Sequence, residues 1–526
     1  MNTAEFLTIS AAIVPDRVAI AGPDQRVTYA ELQTRANKLA QAFQAMGIGS
    51  GQAVGVMAVN CVEFAEIYYA AAAVGATLVP LNFRTKPEEL TYMIDSTDVT
   101  ALFIAERYFP IFQGIQSTTP SVKHVITLDF EQAGLPSLKS LRDAQEDIPV
   151  FADVDDKDAT LIIFTSGTTA LPKGVVLSYQ ALTSLVVNTQ APADPSIDQQ
   201  VVLVSVPFFH IAGATTLASV VFSGRRLVVL PAFEPAAWLE AVQREGVTHA
   251  FVVPTMLKRI IEVPNFESYD LSSLQLITYG AAPMPYEVVR RAVEVFAPDK
   301  ANVGLMNSYG QTEATGSMTT LGPDDHRIDG TPEENEAKYH RLRSVGRPMT
   351  DIDVAILLPD GRVAPTNEEG EICIRGDRVM RGYNKRDEDT SSALQDGWLH
   401  TGDVGKIDDG GYLFITGRIK DMVIRGGENI APAEIEQVLE DHPGVAEAAI
   451  IGVPDVEWGE VCKAIMVPVD GGVLPSEQEL TDYVKTRLAS YKAPALYEWV
   501  EELPRNPLGK VLKNDLRDRY GAPTPA

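Results

Sequence analysis

Cysteine is scarce in this chain. Three occur in 526 residues, at 61, 373 and 462, an odd number too widely spaced for a disulfide framework or a zinc knuckle. Histidine is thin as well. No two of the seven stand closer than 14 residues, so no His-x-x-x-His metal pair can form. Basic charge is also short, with 44 Lys and Arg against 71 Asp and Glu and a net charge of −27. Such a surface repels phosphate backbones, which argues against nucleic-acid binding as the main task. No cationic stretch leads into an apolar run near the start, the first positive residue being Arg17, so no secretory leader is expected. The most membrane-like run, 201–224, contains no Asp, Glu, Lys or Arg, but Pro207, His210 and Gly213 interrupt it. It reads as a buried strand over 201–206, a polar turn and a buried helix rather than a membrane span. A soluble, cytoplasmic protein is the expectation.

What is present is core. A hydrophobic content of 45% suits a globular protein, and at about 150 residues per domain the length suggests two to four domains. Apolar runs of strand length recur at 54–59, 77–81, 161–165, 201–206, 227–230, 250–253 and 274–278. Helical patterns such as 29–46 and 61–74 lie between them. Strands apolar on both faces and separated by helices predict an α/β fold with largely parallel sheets covered on both sides. From 351 the texture changes to short strands and turns, a β-rich subdomain. After Gly417 a compact α+β segment follows, with helices expected at 432–441 and 476–489 and strands at 447–453 and 462–469. The polar stretch 323–342 reads as a solvated excursion, and the tail after Tyr520 as disordered.

Five segments carry chemistry. The sharpest is Phe164-Thr-Ser-Gly-Thr-Thr-Ala-Leu-Pro-Lys-Gly174, which follows a buried strand and precedes a helical pattern near Ser178. Hydroxyls and backbone N–H groups there can donate to a polyphosphate while Lys173 supplies a point charge. It is not a Walker loop, because Gly174 and not Ser or Thr follows the lysine. Next comes Asn307-Ser-Tyr-Gly-Gln-Thr-Glu313, where an aromatic, a hydroxyl and a carboxylate could stack a purine, bind phosphate and hold Mg²⁺. Gly397-Trp-Leu-His-Thr-Gly-Asp403 offers a carboxylate after a tight turn. Gly417-Arg-Ile-Lys-Asp-Met-Val-Ile-Arg-Gly-Gly-Glu-Asn429 lies at the seam between the two textures, and Pro504-Arg-Asn-Pro-Leu-Gly-Lys-Val-Leu-Lys513 puts a lysine on a stiffened loop. Taken singly, the last four would pass for ordinary surface turns.

In this order and spacing the five segments resemble the adenylate-forming superfamily of acyl-CoA synthetases, peptide-synthetase adenylation domains and luciferases. The likeness runs from Thr28-Tyr-Ala-Glu-Leu32 to Lys510. It implies a large N-terminal domain over 1–419, with layered, mostly parallel sheets and the β-rich subdomain, and a small mobile α+β domain over 420–526. It also implies roles. Thr165, Ser166, Gly167, Thr168, Thr169 and Lys173 would embrace the β- and γ-phosphates of ATP. Tyr309 would stack on adenine beside the Gly280-Ala281-Ala282 backbone, Thr312 would bond the α-phosphate, and Glu313 would hold Mg²⁺. Asp403 and Arg418 would take the ribose hydroxyls, Lys420 would be the hinge, and Lys510 would reach the reacting carboxylate. Gly426 and Gly427 would let the pantetheine arm of coenzyme A pass. His210 would wall the acyl pocket. Gly310, where acetyl-specific relatives carry tryptophan, would leave the pocket open to an acid larger than propionate. One departure is Ala170, where the family usually has glycine; a positive φ there would strain alanine by about 1 kcal/mol.

The implied reaction joins a carboxylic acid to CoA through an acyl-adenylate, releasing AMP and pyrophosphate. Positioning and charge neutralisation suffice for it, in keeping with the lack of a Gly-x-Ser-x-Gly elbow or a legible Cys–His pair. Loading of a separate carrier protein is the alternative within the superfamily, a luciferase-like oxygenase a more distant one. The expected partner is a small-molecule acid, and a homodimer is a candidate assembly.

Overall fold

Strands whose side chains are buried on both faces dictate the architecture. The computed structural model describes residues 1–165, 171–297, 300–469, 471–505 and 509–521. Val201–Val204 is buried throughout, as is Ala53–Met57. Each lies inside a sheet flanked by helices. The larger sheet has nine strands. Its parallel centre runs Gly304–Gln311, Leu276–Gly280, His249–Val252, Val201–Val204, Arg226–Val229 and Val18–Ala21, with antiparallel strands at both margins. The second has seven strands, parallel from Ala159–Thr165 through Thr77–Pro80, Ala53–Met57 and Val99–Ile104 to His124–Thr127. One apolar core, contributed by residues from Ala4 to Tyr412, fills the space around both sheets. The α/β class read from the alternating pattern holds.

Local signals explain the helices that line these sheets. Tyr29–Ala45 begins on a capping box between Thr28 and Glu31, which satisfies two orphan N-terminal donors. Pro235–Glu245 ends on Gly246 in the left-handed region. The run 201–224 resolves into the strand Val201–Val204 and the helix Ile211–Phe222. Among the described residues no helix is long and apolar enough to cross a membrane.

The β-rich region is an antiparallel sheet built on Asp353–Leu357, Gly370–Arg375, Trp398–Ile407 and Leu413–Arg418. Beyond it, Val445–Asp455 and Gly459–Pro468 form a long hairpin flanked by Pro432–Glu440, Glu477–Lys485 and Lys513–Tyr520, with two small apolar cores of its own. The helix expected near Ser178 is Tyr179–Thr189, capped by Ser178. Sequence reading did not separate out the strand Lys173–Ser178 that precedes it, antiparallel to Ala159–Thr165. The stretch 323–342 is the solvated excursion expected, largely helical, and Pro332–Arg341 has no buried residue. The expected disorder of the tail falls mostly on 522–526, outside the described residues.

Candidate active site

Neighbouring parallel strands bring their C-terminal ends together, the usual place for a ligand in such sheets. Gly280 pairs with Ser308 across Leu276–Gly280 and Gly304–Gln311, so closely that a Cβ on Gly280 would lie 2.1 Å from the Ser308 carbonyl oxygen. The next residue, Ala281, sits at φ 68°, a left-handed conformation that costs alanine about 1 kcal/mol. The backbone at Gly280 therefore lies close against the strand that carries Tyr309.

Tyr309 packs against the β-rich sheet. Its hydroxyl donates to Asp403 Oδ2 at 2.7 Å, and Arg418 Nε lies 2.6 Å from Asp403 Oδ1. Asp403 and Arg418 face each other across a hairpin, so the sheet register itself makes the pair. Burial, then the Asp403 carboxylate, pushes the Tyr309 phenol up. The turn carrying Asp403 is held from behind: Glu371 accepts from Gly402 N at 3.0 Å and pairs with His400 Nδ1 at 2.7 Å. Cys373 Sγ also comes within 3.5 Å of His400 Nδ1, a Cys–His contact that sequence spacing did not reveal. It makes a poor nucleophile, because burial and then Glu371 push the thiol up to about 12.

Thr312 and Glu313 share one 3₁₀ turn, Thr312–Ala314, closed by Thr315 at φ 56°. Thr315 Oγ1 donates to the Arg378 carbonyl at 2.6 Å, and Met380 N donates to the Glu313 carbonyl at 2.8 Å. The Tyr383 hydroxyl donates to Glu313 Oε1 at 2.9 Å. A carboxylate held this way keeps lone pairs for a hard cation, so its chemistry fits Mg²⁺. Lys173 lies over the Tyr383 ring, 4.9 Å from its centroid, and its ammonium contacts Asp389. Thr165 ends the strand paired with Lys173; Ser166, Gly167, Thr168, Thr169 and Ala170 lie outside the described residues.

Lys510 comes from the small C-terminal unit and joins Asp403, Arg418, Lys420 and Asp421. Burial, then the Arg418 guanidinium, lowers its ammonium to about 8, with Asp403 acting against them. Burial and Arg418 also lower Lys420, which stands in the 3₁₀ turn Ile419–Asp421 immediately after the hairpin.

The remaining expected residues fare differently. His210 begins the helix Ile211–Phe222, and its Nε2 is buried with no partner among the described residues. Burial and the Arg84 cation lower this imidazole to about 3, so it is neutral. Gly310 is hemmed in by backbone. A Cβ there would lie 1.8 Å from the Gly316 carbonyl oxygen across the bulged pair with Gly316–Leu321. The neighbouring strand already occupies the direction a side chain would take, so the glycine serves the sheet as well. Gly426 and Gly427 occupy an exposed turn at φ 59° and 91°, with Gly426 backed by Trp458, and do not belong to this cluster. Sequence reasoning missed Tyr383 and Asp389, although an aromatic in a Gly-Tyr-Asn turn was a usable signal. It also missed a cavity of about 320 Å³ beside the strand ends, lined in part by Phe83, Arg84, Phe233, Thr255, Arg259 and Arg505.

The chain as a whole is similar to known proteins. Residues 7–384 match the AMP-binding enzyme family, and residues 434–510 match the AMP-binding enzyme C-terminal domain. A feruloyl-CoA synthase of Amycolatopsis is 36% identical over 519 residues, covering 97% of each chain. A long-chain-fatty-acid–CoA ligase of Mycobacterium tuberculosis is 34% identical, covering 100% of this chain and 99% of the other. Among solved structures, the o-succinylbenzoate CoA synthetase of Bacillus subtilis, in complex with its acyl-adenylate intermediate, superposes with a TM-score of 0.81 at 30% identity, covering 99% of both chains.

Proposed function

Because the chain belongs to the AMP-binding enzyme family, we propose that the residues gathered around Asp403 and Lys510 form its adenylation site. The enzyme is an AMP-forming carboxylate–CoA ligase that uses ATP, Mg²⁺ and coenzyme A. The proposal concerns how this chain does it. Lys510 carries the reading: a lysine from the small unit is partly buried beside the same Asp403–Arg418 pair that the resemblance assigns to the ribose.

Tyr309 and the 280–282 backbone sandwich the adenine, Asp403 accepts from the ribose hydroxyls, and Arg418 fixes that carboxylate. Thr312 donates to the α-phosphate. Glu313, aimed by Tyr383, holds Mg²⁺, which when bound neutralises charge on the triphosphate. Two anions must meet when the acid attacks the α-phosphorus, and Lys510 offsets their repulsion with a preorganised positive charge. The hydroxyls of 165–169 and Lys173 take the departing pyrophosphate.

Residues 1–419 act as the body and 420–526 as the moving part, with Lys420 as pivot. The small unit exposes Ile424, Val456 and Trp458 next to Gly427. An apolar patch of that kind suits a second docked position in which Gly427 faces the pantetheine arm. The cavity fits the approach of CoA: Phe83, Phe233, Val253 and Met256 give it an apolar side, and Arg84, Arg259 and Arg505 offer partners for an anionic diphosphate. The neutral His210 packs on Phe209, with ring centroids 4.4 Å apart, as a gate between that path and the acyl pocket.

The acid is larger than propionate, the related enzymes being named for ferulate and long-chain fatty acids. A cytoplasmic setting without nucleic-acid partners belongs to the same reading, since a net charge of −27 repels phosphate backbones. The test is AMP and pyrophosphate release with a panel of fatty, branched, alicyclic and aryl acids, each with and without CoA. Release that never depends on CoA for any acid would sink the reading.

A further inference from the structure

The Lys173 ammonium does not point into open space. It contacts the carboxylate of Asp389, in the first turn of Asp387–Ala393, and Arg386 pairs with the same carboxylate at 3.2 Å. Both ends of this contact are fixed. Lys173 is in hairpin register with Thr165, and Tyr383 N donates to Thr390 Oγ1 at 2.9 Å, tying the Asp389 turn to the residue that aims Glu313. The hydrogen bond from Lys173 holds the Asp389 carboxyl below its usual range.

We propose that Asp389 is the resting counter-ion of Lys173, a carboxylate the lysine leaves when the triphosphate of ATP arrives and regains as pyrophosphate departs. The proposal rests on reading Lys173 as a pyrophosphate ligand. The exchange is easily reversed. When Lys173 departs, Asp389 keeps Arg386, and at 32% side-chain exposure it keeps water as well. No buried charge is stranded, which is the circumstance that makes breaking an ion pair expensive. Whatever favours the resting pair is subtracted from triphosphate binding, so Asp389 loosens ATP and pyrophosphate alike. AMP lacks the groups Lys173 would reach and is indifferent.

The experiment compares full-length wild type with Asp389→Asn, Lys173→Ala and the double variant. It measures the Kd of ATP without acid and the inhibition constants of pyrophosphate and AMP. Asparagine keeps the shape and removes the charge. In Asp389→Asn both the ATP and pyrophosphate constants should fall roughly two- to fivefold, the equilibrium weight of a partly exposed ion pair. The AMP constant should not move, and on the Lys173→Ala background the same change should do nothing. Unchanged or raised ATP and pyrophosphate constants in Asp389→Asn would overturn the proposal, as would an equal shift in AMP. If Lys173→Ala weakens pyrophosphate while Asp389→Asn leaves it alone, only the counter-ion role falls. If Lys173→Ala leaves pyrophosphate untouched, the phosphate role of Lys173 falls and takes this proposal with it.

Discussion

Tyr309 and Asp403 are 94 residues apart in the chain and 2.7 Å apart in space, joined by a hydrogen bond from the phenol to a buried carboxylate. The aromatic and acidic residues proposed to hold the nucleotide are thus one unit, assembled from two different sheets.

Breaking that unit from either side should have unequal results. Tyr309→Phe keeps the ring and removes one donor to the carboxylate, a loss of about 1–3 kcal/mol, and should weaken ATP without unfolding the protein. Asp403→Ala strands Arg418, and removing one partner of a buried pair costs about 3–5 kcal/mol. The lower end applies here, because the Arg418 side chain is 33% exposed. Urea denaturation alongside ATP titration checks the order.

Lys510→Ala should separate the half-reactions. Loss of a preorganised charged donor lowers rates by about 10²–10³, and adenylation, followed by pyrophosphate exchange, should fall that far. Given synthetic acyl-adenylate and CoA, the same variant should form thioester at near wild-type rate. Equal damage to both halves would contradict the proposed alternation of domains.

The Lys510 ammonium, lowered to about 8 by burial and Arg418, predicts an alkaline limb. The protonated form carries the useful charge and predominates below that value, so kcat/KM for ATP should fall as pH rises through about 8. An arginine stays charged throughout. Lys510→Arg should lose the limb even if its absolute rate is lower, and pyrophosphate exchange across the neutral-to-alkaline range reads both.

Gly310→Ala should destabilise the enzyme before any question of acid preference arises. Its Cβ would meet the Gly316 carbonyl oxygen at 1.8 Å, and overpacking costs about 1–3 kcal/mol even where neighbours can yield. Thermal melting should show a lower Tm for alanine and poor folded yield for Gly310→Trp. A tryptophan variant that folds like wild type and prefers short acids would instead restore the open-pocket account.

Much of this was legible because parallel strands such as Val201–Val204 are apolar on both faces, a pattern that composition and spacing expose directly. Lys173–Ser178 escaped because Pro-Lys-Gly looks like loop and the strand continues only as far as the hairpin register with Ala159–Thr165 carries it. Register is a long-range property, and it also hid the Cys373–His400 contact. The roles expected of Asp403, Arg418 and Lys510 came through motifs, whose meaning lies in order and spacing. Tyr383 and Asp389 belong to no such motif; their significance arises from what they touch. Gly310 was visible as a glycine, but the reason for it lies in a carbonyl on the adjacent strand.

The hairpin residue Arg418, anchored on Asp403, stands only two positions before Lys420. Two extended residues span roughly 7 Å, so a C-terminal unit that swings about Lys420, as proposed above, is leashed to Asp403 by almost no slack. On that reading it pivots without drifting, and every return of Lys510 is an encounter at high effective concentration. Glycines inserted after Arg418 would lengthen that leash. They would dilute the lysine without touching any atom that binds substrate, and the rate of adenylation should decline as each is added.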